Sequence, residues 1–154
     1  MSTNGWRRAW QAVALFVYGS VLRLATPAYL LRLWRRGATE PGYREQLAQR
    51  LGLYSGPRPG PGMVWLHAVS LGETRAALPL VNALRAARPG LRLLLTHGTA
   101  TGRAAGAHLL DDGDLQAWLP YDTPGAVRRF LRHYQPSVGI LMETELWPAL
   151  MRQA

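Results

Sequence analysis

The stretch Met63-Val64-Trp65-Leu66-His67-Ala68-Val69-Ser70-Leu71-Gly72-Glu73-Thr74 runs from an apolar segment through a short loop into a helical pattern. Met63 to Ala68 reads as a strand. From about Glu73 to Ala87, the residues Ala77, Leu80, Val81 and Leu84 fall on one side of a helix, which Arg88-Pro89-Gly90 ends. The same cycle follows downstream: a strand over 91–96, a helix near 101–110, a strand over 115–119, a helix near 124–134, a strand over 137–142 and a last helix opened by Glu145. Strands alternating with helices predict a parallel, doubly wound α/β sheet with right-handed crossovers. In such a sheet ligands bind beyond the carboxyl ends of the strands. Two apolar runs end there on a carboxylate, one at Glu73 and one in Leu141-Met142-Glu143-Thr144-Glu145-Leu146-Trp147-Pro148. The chain reaches Ala154 just after this second stretch, which reads as half of an enzyme.

A chain of 154 residues with 48% hydrophobic residues and six Trp forms one domain with a real core, not a disordered chain and not a two-domain enzyme. Cysteine is absent, which excludes a disulfide framework, a thiolate nucleophile and a cysteine-ligated zinc. Net charge is +9 and every basic residue is arginine. Residues 1–50 hold eight Arg against Glu40 and Glu45, so most of the excess is N-terminal. Arginine clusters beside apolar sequence suit anionic lipid headgroups at least as well as nucleic acid, and no motif for reading nucleic acid is present.

The N-terminal arm is almost wholly apolar from Ala9 to Leu22 and continues so from Leu24 to Leu33. Pro27 predicts a kinked helix or two short pieces meeting near residue 26. Trp6, Trp10, Tyr18, Tyr29 and Trp34 with flanking Arg suit a membrane interface, whether the arm spans the bilayer or lies on it. A cleaved signal peptide lacks its small-residue cleavage site, and a core helix is the plain alternative. Residues 41–51 read as a short helix, and Ser55 to Gly62 as a turn-rich linker.

Ser70-Leu71-Gly72-Glu73 fits a capping box, in which Ser70 caps the helix and Glu73 folds back onto the Ser70 amide. The same glutamate, at a strand-to-helix loop beside Gly72, is placed to act as a general base. His67, at a strand end, is the pattern of a packed residue. Thr96 to Gly102 is a hydroxyl- and glycine-rich loop before a helix, whose amides suit a phosphate or sugar. No phosphate-binding or dinucleotide fingerprint occurs, and His97, His108 and His133 lack metal-site spacing, so neither a cofactor nor a metal is expected. Glu143 and Glu145 suit a helix N-terminus, where the macrodipole favours acids. Glu143, just before that helix, is the harder to explain structurally.

The chain closely resembles the N-terminal part of the 3-deoxy-D-manno-octulosonic acid (Kdo) transferases of lipopolysaccharide synthesis. The resemblance is carried by Arg32-Leu-Trp34, Arg36-Gly37, Tyr43-Arg44, Leu66-His67, Val69-Ser70, Gly72-Glu73-Thr74, Pro79-Leu80-Val81, Thr99, Thr101-Gly102, Leu119-Pro-Tyr-Asp122, Arg129-Phe-Leu131 and Met142-Glu-Thr-Glu-Leu-Trp-Pro148. It implies the N-terminal half of a GT-B fold, with a membrane-anchor arm over 1–36, a short helix and linker over 37–62, and a Rossmann-like acceptor-binding domain over 63–154. The implied reaction moves Kdo from CMP-Kdo to the lipid A precursor lipid IV-A, with inversion and without a metal, on the cytoplasmic face of the inner membrane. Glu73 corresponds to the proton acceptor and Glu143 to the transition-state stabiliser, with Ser70, Gly72, Thr101 and Gly102 on acceptor-side loops. The family's CMP-Kdo-binding C-terminal domain is absent, so this chain alone is expected to be inactive. The other reading is a non-catalytic, membrane-attached glycolipid-binding module or a remnant.

Overall fold

The computed structural model describes residues 3–142 and 147–154. Four short apolar runs form strands β1 (Val64–His67), β2 (Leu93–His97), β3 (Leu115–Trp118) and β4 (Val138–Leu141). Among the described residues they make one parallel sheet in the order β3-β2-β1-β4. Central β1 pairs Leu66 with Leu95 on one side and Ile140 on the other. The chain moves outward from β1 through β2 to β3, then crosses back to place β4 on the opposite side of β1. The switch in direction lies between β1 and β4, where a parallel α/β sheet opens a crevice beyond its carboxyl ends.

Helices α2 (Leu71–Ala87), α3 (Ala100–Gly106), α4 (Pro124–Tyr134) and α5 (Pro148–Gln153) complete the α/β alternation. Successive residues of β1 serve opposite faces, as the two-residue period of a strand requires. Leu66 packs with Ala77 and Val81 of α2, while Trp65 packs with Phe130 and Tyr134 of α4 and Ala149 and Leu150 of α5. Helices therefore lie on both faces of the sheet, and the central strands β1 and β2 are buried along their whole length, while the edge strand β4 is partly exposed at Val138 and Gly139.

Helix α1 (Thr3–Arg36) runs through Pro27 without interruption, so of the kinked helix and the two short pieces expected there, the two separate pieces do not form. Proline removes one hydrogen bond, but the helix does not depend on that bond alone. The Thr26 hydroxyl donates to the Leu22 carbonyl at 2.7 Å, and residues on one face are held by the domain. That face carries Leu15, Tyr18, Gly19, Leu22, Thr26, Leu30 and Leu33, spaced three and four apart. Tyr18 donates to Asp122 at 3.1 Å, Gly19 faces Pro124, and the Tyr29 and Tyr121 rings lie 5.9 Å apart. The opposite face exposes Trp10, Val13, Phe16, Val17, Val21 and Leu24. Only 6% of the helix's most apolar window is buried, so α1 is not a core helix.

The short helix expected over 41–51 is instead two 3-10 turns, Pro41–Arg44 and Leu47–Leu51, separated by Gln46 at φ 50. A left-handed residue ends one turn and starts the next, which a regular α-helix cannot absorb. Gly52 closes the second turn at φ 74, and a Cβ there would lie 2.4 Å from the Ala126 carbonyl oxygen. This contact seats the segment on α4 with no room for a side chain.

Candidate active site

The loops after β1 and β2 are tied into one unit through the backbone of Val69. Its carbonyl accepts from the Gly98 amide at 3.1 Å, the Thr99 amide at 2.9 Å and the Thr99 hydroxyl at 3.0 Å. Its amide donates to Glu73 Oε2 at 2.6 Å. Ser70 caps α2, accepting from the Glu73 amide at 3.3 Å and donating to Glu73 Oε1 at 2.9 Å. The capping arrangement expected from the sequence is present with one difference: the carboxylate bonds the Val69 amide, not that of Ser70. Each Glu73 oxygen accepts one such bond and retains a lone pair, so the group is aimed yet able to take a proton. It is half-buried at the carboxyl end of β1, beside the switch point.

Thr99 caps α3, accepting from the Gly102 amide at 3.1 Å. Gly102 is buried, and a Cβ there would stand 3.0 Å from the Ser70 carbonyl carbon, the Val69 oxygen and the Thr99 hydroxyl. It brings α3 against the Ser70 loop and touches backbone rather than open solvent. Gly72 and Thr101 are exposed, the Thr101 hydroxyl 3.5 Å from that of Thr99. Ser70, Glu73, Thr99 and Gly102 thus share one corner. Glu143 and Glu145 lie outside the described residues. Met142, which precedes Glu143, donates its amide to the His67 carbonyl at 2.9 Å.

His67 is buried with Nδ1 2.8 Å from the Thr96 hydroxyl and 3.0 Å from its carbonyl, the packed role its position suggested. His97 lies directly behind the Ser70 corner. Its Nδ1 meets the Ala68 carbonyl at 2.9 Å, and Gln116 Nε2 meets its Nε2 at 3.0 Å. A neutral ring donating from Nδ1 and accepting at Nε2 satisfies both. Burial, the largest influence, pushes the imidazole down from 6.5 to about 4. The unfolded chain therefore binds this proton more readily than the folded one between those values. Stability from this site is full above about pH 6.5 and falls by up to about 3 kcal/mol as pH drops through about 4. Urea unfolding between pH 7 and 4 checks this, with His97→Gln flattening the slope.

Sequence reasoning quoted Asp122 only as part of a matching motif and gave neither it nor Arg50 a role. Asp122 is buried and accepts from the Ala149 and Leu150 amides, each at 2.8 Å, as well as from Tyr18. Arg50 is buried against the carboxyl ends of β2 and β3, its Nη2 donating to the Gly98 carbonyl at 2.8 Å. Among the described residues no cluster of three His, Asp or Glu side chains is placed to hold a metal ion.

A family model described as 3-deoxy-D-manno-octulosonic-acid transferase (kdotransferase) matches residues 45–154. The 3-deoxy-D-manno-octulosonic acid transferase of Bordetella pertussis is 51% identical over 146 residues, covering 90% of this chain and 34% of that protein. The Haemophilus influenzae protein of the same name is 37% identical over 139 residues, covering 90% of this chain and 33% of its own length. A probable mitochondrial 3-deoxy-D-manno-octulosonic acid transferase of Arabidopsis thaliana is 40% identical over 106 residues, covering 69% of this chain and 24% of that protein. The chain spans about a third of the first two relatives. The motifs around Glu73 and Asp122, the parallel sheet that carries them and these matches agree: the chain belongs to the 3-deoxy-D-manno-octulosonic acid transferase family.

Proposed function

We propose that this chain is the acceptor-binding part of an enzyme that transfers Kdo from CMP-Kdo to lipid IV-A. The observation that carries the reading is the Glu73 carboxylate, aimed by the Val69 amide and Ser70 hydroxyl at the switch point of the sheet. Glu73 takes the proton of an acceptor hydroxyl as that oxygen bonds to the anomeric carbon of Kdo. The bond from that carbon to the CMP phosphate breaks, and CMP leaves with the electron pair. Attack opposite the leaving group inverts the centre. Glu143 is assigned to stabilise the charge that develops, by family correspondence alone. The reaction needs no metal or cofactor in this scheme. CMP-Kdo is held by a second domain, and without it Glu73 has no electrophile to serve.

The membrane reading fits the placement of α1. Its domain-facing stripe extends from Leu15 to Leu33, about 27 Å at the rise of an α-helix. A helix held sideways over that length presents its other face to a bilayer surface, so α1 lies in the interface of the inner membrane on the cytoplasmic side rather than crossing it. Phe16 and Leu24 are 71% and 83% exposed on that face. The double variant Phe16→Asp/Leu24→Asp is expected to bind vesicles at least about tenfold more weakly with unchanged melting temperature, as flotation would measure.

The test of function is a chimera in which this chain replaces the matching third of the Bordetella pertussis relative, assayed with radiolabelled CMP-Kdo and lipid IV-A. Transfer by the chimera and none by the isolated chain is the expected result. Turnover by the chain alone would contradict the division of labour. Lipid IV-A binding by a folded chimera that never transfers would favour the non-catalytic glycolipid-binding module.

A further inference from the structure

A second site adjoins the Ser70 corner. Between the C-terminal half of α1 and the ends of β2 and β3 lies a cleft of about 200 Å³, lined by Tyr29, Arg32, Arg36, Arg50, Thr99 and Tyr121 among others. Its floor is a buried cation. Arg50 is 6% exposed, with Nη2 on the Gly98 carbonyl at 2.8 Å and Nη1 3.5 Å from the His97 and Leu119 carbonyls. Its guanidinium carbon sits 4.1 Å from the centre of the Trp118 ring. Burial lowers the group to about 10, which leaves it charged at neutral pH. Carbonyls engage Nη1 and Nη2 and an indole face covers the ring side of the group, but neither supplies a full negative charge, and no carboxylate pairs with it among the described residues. A buried charge without a counter-charge is costly.

Its neighbours add further positive charge. Arg103 approaches the same indole at 4.8 Å, its Nη1 buried without a hydrogen-bond partner among the described residues, and its own charge is countered by Glu45. Arg32 and Arg36, four residues apart on one face of α1, add two cations at the rim. Glu40 holds Arg36 at 2.9 Å, while Arg32 has no acid partner among the described residues. Three arginines against one glutamate leave the cleft an excess of two positive charges. A phosphate monoester carries about −1.5 to −2 at neutral pH, whereas a sugar carboxylate carries half of that.

We infer that this cleft binds a phosphate monoester, with Arg50 at its floor, Arg32 and Arg36 at its rim and Thr99 on its wall. The cleft is smaller than the roughly 300 Å³ at which sites for whole organic ligands begin, so it takes the charged group and leaves its carrier outside. Thr99 bonds the Val69 carbonyl, and the Val69 amide bonds Glu73, so a phosphate here would hold its sugar beside the base. The identity of that carrier as a glycolipid acceptor rests on the function proposed above, whereas the anion site does not.

The test is equilibrium binding of the full chain to phosphatidylcholine vesicles doped with a phosphorylated glucosamine lipid or with the same lipid after phosphatase treatment. The wild type should prefer the phosphorylated lipid by at least about tenfold, and Arg32→Gln/Arg36→Gln should lose that preference while melting normally. Arg7→Gln/Arg23→Gln, which removes as much charge from the same helix, should keep it. Inorganic phosphate provides a second arm. If it raises the melting temperature of the wild type but not of Arg32→Gln/Arg36→Gln, the free anion is a sufficient ligand; if only the lipid discriminates, the headgroup is the ligand, and either supports the site. Equal binding of both lipids by the wild type, undiminished preference in the cleft variant, or equal loss in the control would overturn it. None of these outcomes depends on Glu73, whose replacement slows transfer but leaves the phosphate preference in place.

Discussion

Glu73→Gln in the chimera is expected to lower kcat by about 10²–10⁴-fold, the usual contribution of a positioned general base. Glutamine keeps the length and planarity of the side chain. Its oxygen can still accept from the Val69 amide or the Ser70 hydroxyl, and glutamine is an accepted partner in a capping box, so α2 should remain capped. What disappears is the capacity to take a proton. Acceptor KM should therefore change little while kcat falls, because the lost interaction is made in the transition state. A variant that melts as the wild type does and keeps its rate within a factor of about three would remove Glu73 from the chemistry and leave it as a helix cap.

Asp122→Ala is expected to cost about 4 kcal/mol of stability, more than any other single replacement considered above. The carboxylate is 2% exposed and joins three elements. It satisfies the Ala149 and Leu150 amides at the start of α5 and anchors α1 through Tyr18. Helix α5 has six residues, too few to persist without tertiary support. Alanine strands two buried amide donors and a hydroxyl, each penalised for lost solvation. Asp122→Asn retains one acceptor oxygen and should cost roughly half as much. Urea unfolding of the two variants checks the order, and equal losses would contradict the capping role.

The strand-to-helix passage around Glu73 was legible because it is local. The apolar run from Met63, the Ser70 cap and the spacing of Ala77 and Val81 each lie within a few turns of one another, and all point to the same element. The parallel, helix-covered sheet followed from the alternation of strands and helices, whereas its strand order β3-β2-β1-β4 is set by pairing between distant segments that the alternation does not encode. Misreadings arose where distant contacts decide. Pro27 carries the local signal of a break, yet α1 persists because Asp122, Pro124 and Tyr121, about a hundred residues away, hold its face. Residues 41–51 hold Leu47 and Leu51 at helical spacing, yet Gln46 at φ 50 divides them into two tight turns, the second closed by Gly52 against Ala126. Arg50 left no trace in the sequence, since its partners are carbonyls 47 to 69 residues away and carbonyls look the same in every residue. The partner of Glu73 was misplaced by one residue, a distinction that loop geometry makes and a motif does not.

The central claim is that an acceptor sugar meets the Glu73 carboxylate at the switch point of the sheet. The most direct measurement is the structure of the chimera with a non-transferable acceptor disaccharide bound, locating the hydroxyl that receives Kdo. The account predicts that oxygen within about 3.2 Å of a Glu73 carboxylate oxygen. An acceptor bound with this hydroxyl at another edge of the sheet, and Glu73 still closed onto Val69 and Ser70 alone, would contradict it.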